Sequence, residues 1–219
     1  MTEEKNPTCY VCVQPGADTD DHLIPRALFL SPRPTNLVTL PAHHACHKSH
    51  SEDYARAILA GMSAGSPIAA KIMALYVRPS LLRSDLKGTK LRRDLIRTLI
   101  RRIELHSPEG LILGYAPGVQ FDRARVYPML TKIVRGLYYR HVGRFLPTGA
   151  RCSWGLNEPL EGRQAAMFEQ SAAGLSYTGT FECRYAVGSD ATGEGSVWWL
   201  RFYEGVVFRC YVFIALPAV

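Results

Sequence analysis

The stretch that decides the fold runs from Cys9 to His47 and reads CYVCVQPGADTDDHLIPRALFLSPRPTNLVTLPAHHACH. It opens with a Cys-x-x-Cys pair and closes with a His-x-x-Cys pair. Each pair offers two soft ligands separated by two residues, the spacing with which a knuckle wraps two corners of a tetrahedral Zn²⁺. The sequence therefore predicts a closed structural zinc site formed by Cys9, Cys12, His43 and Cys46.

The composition of this segment also favours a metal. The first 50 residues contain five of the seven histidines of the chain and show little apolar periodicity. A segment this short and polar does not build a hydrophobic core of its own and usually needs a metal to fold. His44 is an alternative to His43 as a ligand, although the spacing favours His43.

Four further polar residues are not needed by a four-ligand zinc site: Asp21, His22, Asn36 and His47. A hairpin between the two ligand pairs, with Asn36 opening a second strand over 37–40, brings Asp21 and His22 close to the helix that carries His47. One carboxylate and one imidazole on facing elements suit a divalent ion that keeps water ligands. A second imidazole, not bound to the metal, can take a proton from an attacking water. Taken singly, these residues are also ordinary turn or helix-start residues.

The order of these blocks resembles a known family. Asp-His-x-x-Pro at 21–25, Asn-Leu-Val-x-Leu at 36–40 and Cys-His at 46–47, nested inside a zinc knuckle, resemble the HNH endonucleases and their ββα-metal motif. The similarity covers residues 9–50. It implies that His22 is the general base that activates a water, that Asp21 and His47 hold one catalytic Mg²⁺ or Mn²⁺ ion, and that Asn36 orients the His22 loop. The zinc-knuckle positions of the family match the four residues already predicted to bind zinc.

Two departures from the family pattern leave one choice open. The second knuckle is His-x-x-Cys instead of Cys-x-x-Cys, and Pro41-Ala42 separates it from Leu40. The insertion can shift the start of the following helix. Because His50 lies one turn further along the same helix face, it is an alternative to His47 as the ligand of the catalytic ion.

The charge divides the chain into three segments. The net charge is +7 overall, but it is −1 over residues 1–77, +11 over 78–151 and −3 over 152–219. The first segment contains the motif that resembles the HNH endonucleases, together with the following helices. The second is expected to be a basic helical segment, and the third a C-terminal sheet that packs with the basic helices. A concentrated basic segment indicates a polyanion-binding surface; the alternative is a set of solvated helix faces.

The basic segment is predicted to contain two long helices. Leucine and isoleucine repeat every four residues over 89–105. Arg93, Arg97 and Arg101 follow the same spacing, about 6 Å apart, which is close to the phosphate spacing of a nucleic-acid strand. These three arginines are the predicted phosphate contacts. A second helix is predicted over 123–145, with Lys132 among its outward-facing cations.

The fold class is therefore α+β. Segments 177–187, 195–203 and 206–215 are rich in aromatic and β-branched residues and are separated by short glycine-containing turns, which predicts an antiparallel meander packed on helices. Its aromatic residues are expected to form core, although stacking of single-stranded bases is an alternative. The sheet is also a candidate surface for a homodimer or a protein partner.

These observations predict a metal-dependent DNA endonuclease of prokaryotic or phage type, acting in defence or in a mobile element, with RNA left open as a substrate. The alternatives are a non-catalytic nucleic-acid-binding module and a nuclease effector controlled by a protein partner through the C-terminal sheet. Hydrophobic residues make up 47% of the chain and charged residues 21%, which excludes disordered and collagen-like classes. Without an apolar run of roughly 18 residues or an apolar signal segment, no membrane association is expected and a cytoplasmic location is predicted.

Overall fold

A computed structural model describes residues 6–47, 52–63, 65–119, 121–156, 166, 170–190 and 193–215. It confirms the α+β class, with helices between a small N-terminal hairpin and a five-stranded antiparallel C-terminal sheet. One hydrophobic core contains buried residues from all three charge segments. The division into three segments stays a prediction.

The N-terminal hairpin carries the predicted polar residues. Strand β1, Thr19–His22, pairs antiparallel with β2, Thr39–Ala42, so that Asp21 lies opposite Leu40. The second strand begins two residues later than predicted, and Asn36 lies in the turn before it. Helix α1, His44–His47, follows β2 directly and therefore starts beside the hairpin.

Three helices follow the hairpin and α1. Helix α2, Glu52–Met62, begins with two acidic residues, which are favourable at a helix N-terminus. Helix α3, Pro67–Ile72, is capped by the Ser66 hydroxyl, which accepts the N–H of Ala69. A π-turn over 73–77 joins it to α4, Arg78–Leu82.

The predicted helix over 89–105 is wrong in its second half. Helix α5, Leu86–Thr98, ends before Arg101, and the chain continues as β3, Leu99–His106. This strand pairs antiparallel with β4, Ile112–Val119. The backbone N–H and C=O groups of β3 form hydrogen bonds with β4. The spacing of apolar residues within one segment does not reveal such a partner strand. Arg101 therefore does not share a helix face with Arg93 and Arg97.

The second predicted helix is present. Helix α6, Arg123–Val142, begins at Asp122, whose side chain accepts the N–H of Ala124, and ends at Gly143 in the left-handed conformation. The prediction that Lys132 faces outward is wrong, because Lys132 is 2% exposed. A buried acidic partner, described below, explains its position.

The C-terminal sheet extends the predicted meander by two strands. In spatial order the sheet contains β5, Arg151–Leu156, then β9, Val206–Ala215, β8, Gly193–Phe202, β7, Phe181–Asp190, and β6, Ala172–Tyr177. Trp198, Phe202 and Phe208 are fully buried, as expected for core residues. The outer face exposes Tyr211 and Phe213.

Polar contacts attach the N-terminal part to this sheet. The Tyr177 hydroxyl accepts the N–H of Val38 at 3.0 Å, and the Tyr203 hydroxyl donates to the carbonyl of Leu28 at 3.0 Å. Ser63, at the end of α2, donates to the carbonyl of Phe202. The sheet therefore supports the hairpin that carries Asp21 and His22.

Candidate metal centre and adjoining polar cluster

The four predicted zinc ligands meet at one point. The ligand atoms of Cys9, Cys12, His43 and Cys46 all lie within 4.8 Å of one another. Three thiolates and one imidazole at such distances can hold a single Zn²⁺ ion. The four predicted residues thus form a Cys₃His group that could bind a zinc ion.

The ring of His43 is oriented for ligation. Its Nδ1 atom lies 3.3 Å from the sulfur of Cys12, and its Nε2 atom lies 3.1 Å from the carbonyl oxygen of Pro15. A hydrogen bond donated by Nε2 to Pro15 leaves Nδ1 free to face the thiols, as is usual for a metal-ligating histidine. His44 is exposed, and its backbone N–H donates to Asp18 at 2.7 Å. The structure therefore selects His43 over His44.

The backbone of the first knuckle favours a thiolate. The sulfur of Cys9 accepts the N–H of His43 at 3.4 Å. Burial raises the pKa of Cys9, but backbone hydrogen bonds from Cys12, His43 and Val11 outweigh it, so that the pKa lies below its usual value. Burial and the neighbouring Cys9 raise the pKa of Cys46 to about 12. A nearby cation is therefore needed to hold the sulfur of Cys46 as a thiolate.

Asp21 and His47 converge beside this group. The Oδ1 atom of Asp21 lies 2.6 Å from Nδ1 of His47. The other carboxylate oxygen, Oδ2, accepts the Tyr10 hydroxyl at 2.7 Å and lies 2.8 Å from Nζ of Lys132. Asp21 is 1% exposed, so these contacts occur away from bulk water. Both oxygens of the carboxylate therefore have a defined neighbour.

The contact between Asp21 and His47 does not have the geometry of a hydrogen bond. Within the described part of the chain, the buried Nδ1 atom of His47 makes no hydrogen bond, although Oδ1 is so close. One carboxylate oxygen and one imidazole nitrogen are donors of the chemical type that can bind Mg²⁺, Mn²⁺ or another borderline divalent ion.

His22 lies next to this pair in a half-buried position. Burial lowers the pKa of its imidazole, and the positive charge of Arg26 lowers it further, whereas Asp21 acts in the opposite direction. A neutral imidazole at neutral pH can accept a proton. The positive charges of two exposed arginines, Arg26 and Arg33, both act on this side chain. Nε of Arg33 donates to the backbone carbonyl of Arg26 at 3.2 Å.

Asn36 is exposed in the turn before β2, and its backbone carbonyl accepts the Tyr177 hydroxyl at 3.4 Å. Among the described contacts, none joins the Asn36 side chain to His22. Its role in orienting the His22 loop stays a prediction. His50, the alternative ligand of the catalytic ion, lies outside the described residues, whereas His47 contacts Asp21.

The sequence reasoning missed three residues of this cluster. Tyr10 and Lys132 hold Asp21, and the half-buried Glu52 interacts electrostatically with Lys132, His47 and Asp21. Burial raises the pKa of Glu52. One signal for Lys132 was available, because it lies four residues before Gly136 on an otherwise apolar helix face, where a glycine allows another element to come close.

The basic side chains form a separate surface. The cations of α5 are all exposed, namely Lys87, Lys90, Arg92, Arg93 and Arg97. Arg97 and the exposed Arg123 line a cleft of about 490 Å³ that also includes Tyr54, two residues after Glu52. The third arginine of this cleft, Arg125, is paired with Asp94 at 2.7 Å. The side chain of Arg101 is not among those described.

Comparison with known proteins gives no relative, since no protein-family model, no curated protein and no solved structure matches the chain. Among the helices formed by the described residues, none is long and apolar enough to cross a membrane.

Proposed function

We propose that this protein is a metal-dependent endonuclease of the HNH type that hydrolyses phosphodiester bonds in DNA. The observation that carries the proposal is the approach of Asp21 Oδ1 to His47 Nδ1, at 2.6 Å, beside a half-buried His22. These are the three residues to which the sequence similarity gives the central roles. The neighbouring Cys₃His group supports the same assignment.

In the proposed reaction, His22 accepts a proton from a water molecule while the oxygen of that water bonds to phosphorus. The bond from phosphorus to the 3′ oxygen breaks, and the departing 3′ oxygen takes up a proton from solvent. Asp21 and His47 would hold one divalent ion such as Mg²⁺ or Mn²⁺, which stabilises negative charge on the phosphate and on the leaving oxygen. The Cys₃His group would hold Zn²⁺ and keep α1 against the hairpin.

Two groups of arginines support a nucleic acid as the substrate. Arg26 and Arg33 lie close enough to His22 to affect its pKa, where the scissile phosphate would bind. Arg97 and Arg123 line the cleft beyond the start of α2. Contacts of this kind bind the phosphate backbone without reading its sequence. Arg93 and Arg101 remain predicted phosphate contacts.

The test is nicking of supercoiled plasmid by the zinc-loaded protein with Mg²⁺ or Mn²⁺ added, with a single-stranded RNA as a second substrate. We expect the wild-type protein to nick DNA and the His22→Ala protein to be slower by roughly 100-fold or more, because general-base catalysis contributes a factor of that order. His106→Ala is the matched control, since His106 is exposed on the β3–β4 hairpin.

The control variant is expected to cut at the wild-type rate. Absence of cleavage with every divalent ion tested, or cleavage by His22→Ala at the wild-type rate, would contradict the proposed reaction. Cleavage of RNA in preference to DNA would change the substrate and leave the residue roles intact.

One observation favours a second function, a non-catalytic nucleic-acid-binding module. Asp21 and Lys132 form a fully buried ion pair at 2.8 Å, and such a pair can serve the fold alone. This alternative predicts salt-sensitive DNA binding without cleavage.

A third function is suggested by the outer face of the C-terminal sheet, where Tyr211 and Phe213 are 39% and 44% exposed. Exposed aromatic residues of this kind are frequent in protein interfaces. This alternative, an effector controlled by a protein partner, predicts that cleavage begins only when the partner is added.

A further inference from the structure

We propose that Lys132 is a positioning residue that fixes Asp21 and cancels its charge, so that the divalent ion is held firmly only when a phosphate oxygen of the substrate is also present. This inference rests on the proposed function, because it concerns the ion site of Asp21 and His47. It adds that the ion and the nucleic acid bind cooperatively.

Only one oxygen of the Asp21 carboxylate is available to an ion. Oδ2 is occupied by the Tyr10 hydroxyl at 2.7 Å and by Nζ of Lys132 at 2.8 Å, and all three residues are buried. Oδ1 remains, and it faces Nδ1 of His47. Lys132 and Tyr10 therefore leave Asp21 with a single oxygen for an ion, in a fixed orientation.

Lys132 reaches the Asp21 carboxylate because α6 lies close to the hairpin. Helix α6 packs against the hairpin at Gly136, one turn after Lys132, where a Cβ atom would lie 2.3 Å from Leu23 and 3.0 Å from Leu40. The glycine permits this close approach. The same helix face thus brings the ammonium group of Lys132 to Asp21, which lies on β1 two residues before Leu23.

The groups at the candidate ion site of Asp21 and His47 carry little negative charge. The Asp21 carboxylate is paired with the Lys132 ammonium group, so their charges cancel. The His47 imidazole, in the form that binds a metal, adds no charge, and the donor set is therefore neutral. Glu52 can add one negative charge, but Arg26 and Arg33 add two positive charges near His22. Mg²⁺ and Mn²⁺ both bind well to anionic oxygen ligands. The phosphate of the substrate supplies the missing negative charge.

The test measures Mn²⁺ binding to the zinc-loaded protein from the electron paramagnetic resonance signal of free Mn²⁺. All proteins carry His22→Ala, so that an added DNA duplex is cut slowly, if at all, during the measurement. We expect the duplex to tighten Mn²⁺ binding by about tenfold or more. Replacing Lys132 by Met is expected to tighten Mn²⁺ binding about tenfold without DNA, because a doubly charged ion a few ångströms from a unit charge feels it even at the dielectric constant of water.

Lys90→Met is the matched control, because it removes the same charge from an exposed position on α5. It is expected to leave Mn²⁺ binding in the absence of DNA unchanged. Lys132→Arg, which keeps the charge, is expected to restore the weak binding of the parent. A gain in affinity on losing a lysine is a result that damage to the fold does not produce.

Lys132→Gln serves if the Met variant does not fold, as judged by circular dichroism and retained zinc. If neither folds, the comparison with and without DNA decides. Unchanged or weaker Mn²⁺ binding in a folded Lys132→Met protein overturns the inference, and so does binding that DNA does not affect. The proposed function fails separately, if the wild-type protein does not cut a nucleic acid while the Lys132 variants behave as expected.

Discussion

Replacing Gly136 by Ala tests the contact on which the candidate site depends. Gly136 lies inside α6, where the helix meets the hairpin. An added Cβ atom would lie 2.3 Å from Leu23 Cδ1, 3.0 Å from Leu40 Cδ1 and 3.1 Å from a ring carbon of Tyr10. Leu23 and Tyr10 are buried, at 0% and 1% exposure, so neither has free space into which to turn.

The expected free-energy change combines two opposed effects. Alanine is favoured over glycine inside a helix by about 1 kcal/mol. Overpacking of a core costs about 1–3 kcal/mol. A clash with three neighbours, one just after β1, one on β2 and one in the first knuckle, belongs at the upper end of that range. We therefore expect Gly136→Ala to lower the free energy of unfolding by about 2 kcal/mol.

Gly61→Ala is the matched control, because Gly61 lies in α2 and a Cβ atom there would have nothing within 4 Å. This change is expected to raise the free energy of unfolding by about 0.5–1 kcal/mol. Urea denaturation of the zinc-loaded proteins, followed by tryptophan fluorescence, to which the buried Trp198 and Trp199 contribute, measures both values.

The two variants are thus expected to differ in sign. If Gly136→Ala stabilises the protein as much as Gly61→Ala does, then α6 does not lie against the hairpin. The contact between Lys132 and Asp21 would then be lost as well, and with it the account of how Asp21 is oriented.

Three further predictions concern other parts of the fold. Cys46→Ala is expected to abolish zinc retention after dialysis, measured by atomic absorption, because it removes one of the four ligand atoms that lie within 4.8 Å; retention of wild-type zinc would contradict the Cys₃His site. Ser63→Ala is expected to lower the free energy of unfolding by about 1 kcal/mol, since the buried hydroxyl accepts the N–H of Val206 and donates to the carbonyl of Phe202, which keeps a second hydrogen bond from the N–H of Gly205. An unchanged urea midpoint would show that α2 does not anchor this turn. Leu113→Ser on β4 is expected to change stability by less than about 0.5 kcal/mol, because Leu113 is 70% exposed; a larger loss in the same denaturation experiment would mean that the β3–β4 hairpin is covered.

Much of the fold followed from local patterns. The Cys-x-x-Cys and His-x-x-Cys spacings predicted the metal-binding group, because ligand spacing is a property of one short segment. The three aromatic segments predicted the central strands of the C-terminal sheet for the same reason. Strand β5 was missed, since its pairing with β9 joins segments separated by about 50 to 60 residues, as the register from Leu156 with Phe208 to Arg151 with Phe213 shows.

Other features needed partners that are distant in the chain. The apolar run after Thr98 has helical spacing, yet it forms a strand because β4 supplies its hydrogen bonds. Lys132 looked like a surface cation because lysine is rarely buried without a partner. That partner, Asp21, lies more than a hundred residues earlier, and only the packing of α6 on the hairpin brings the two together.

The sequence by itself determined the chemistry that is available near the N-terminus: the ligands of the metal-binding group, and an Asp-His pair with a second histidine nearby. Those choices depend on residue type and short spacing. The tertiary structure decided which atoms of that chemistry are free to act. Asp21 has one oxygen held by Tyr10 and Lys132 and the other facing His47. This division depends on the close approach at Gly136, where the absence of a side chain lets a helix from the middle of the chain lie against the hairpin.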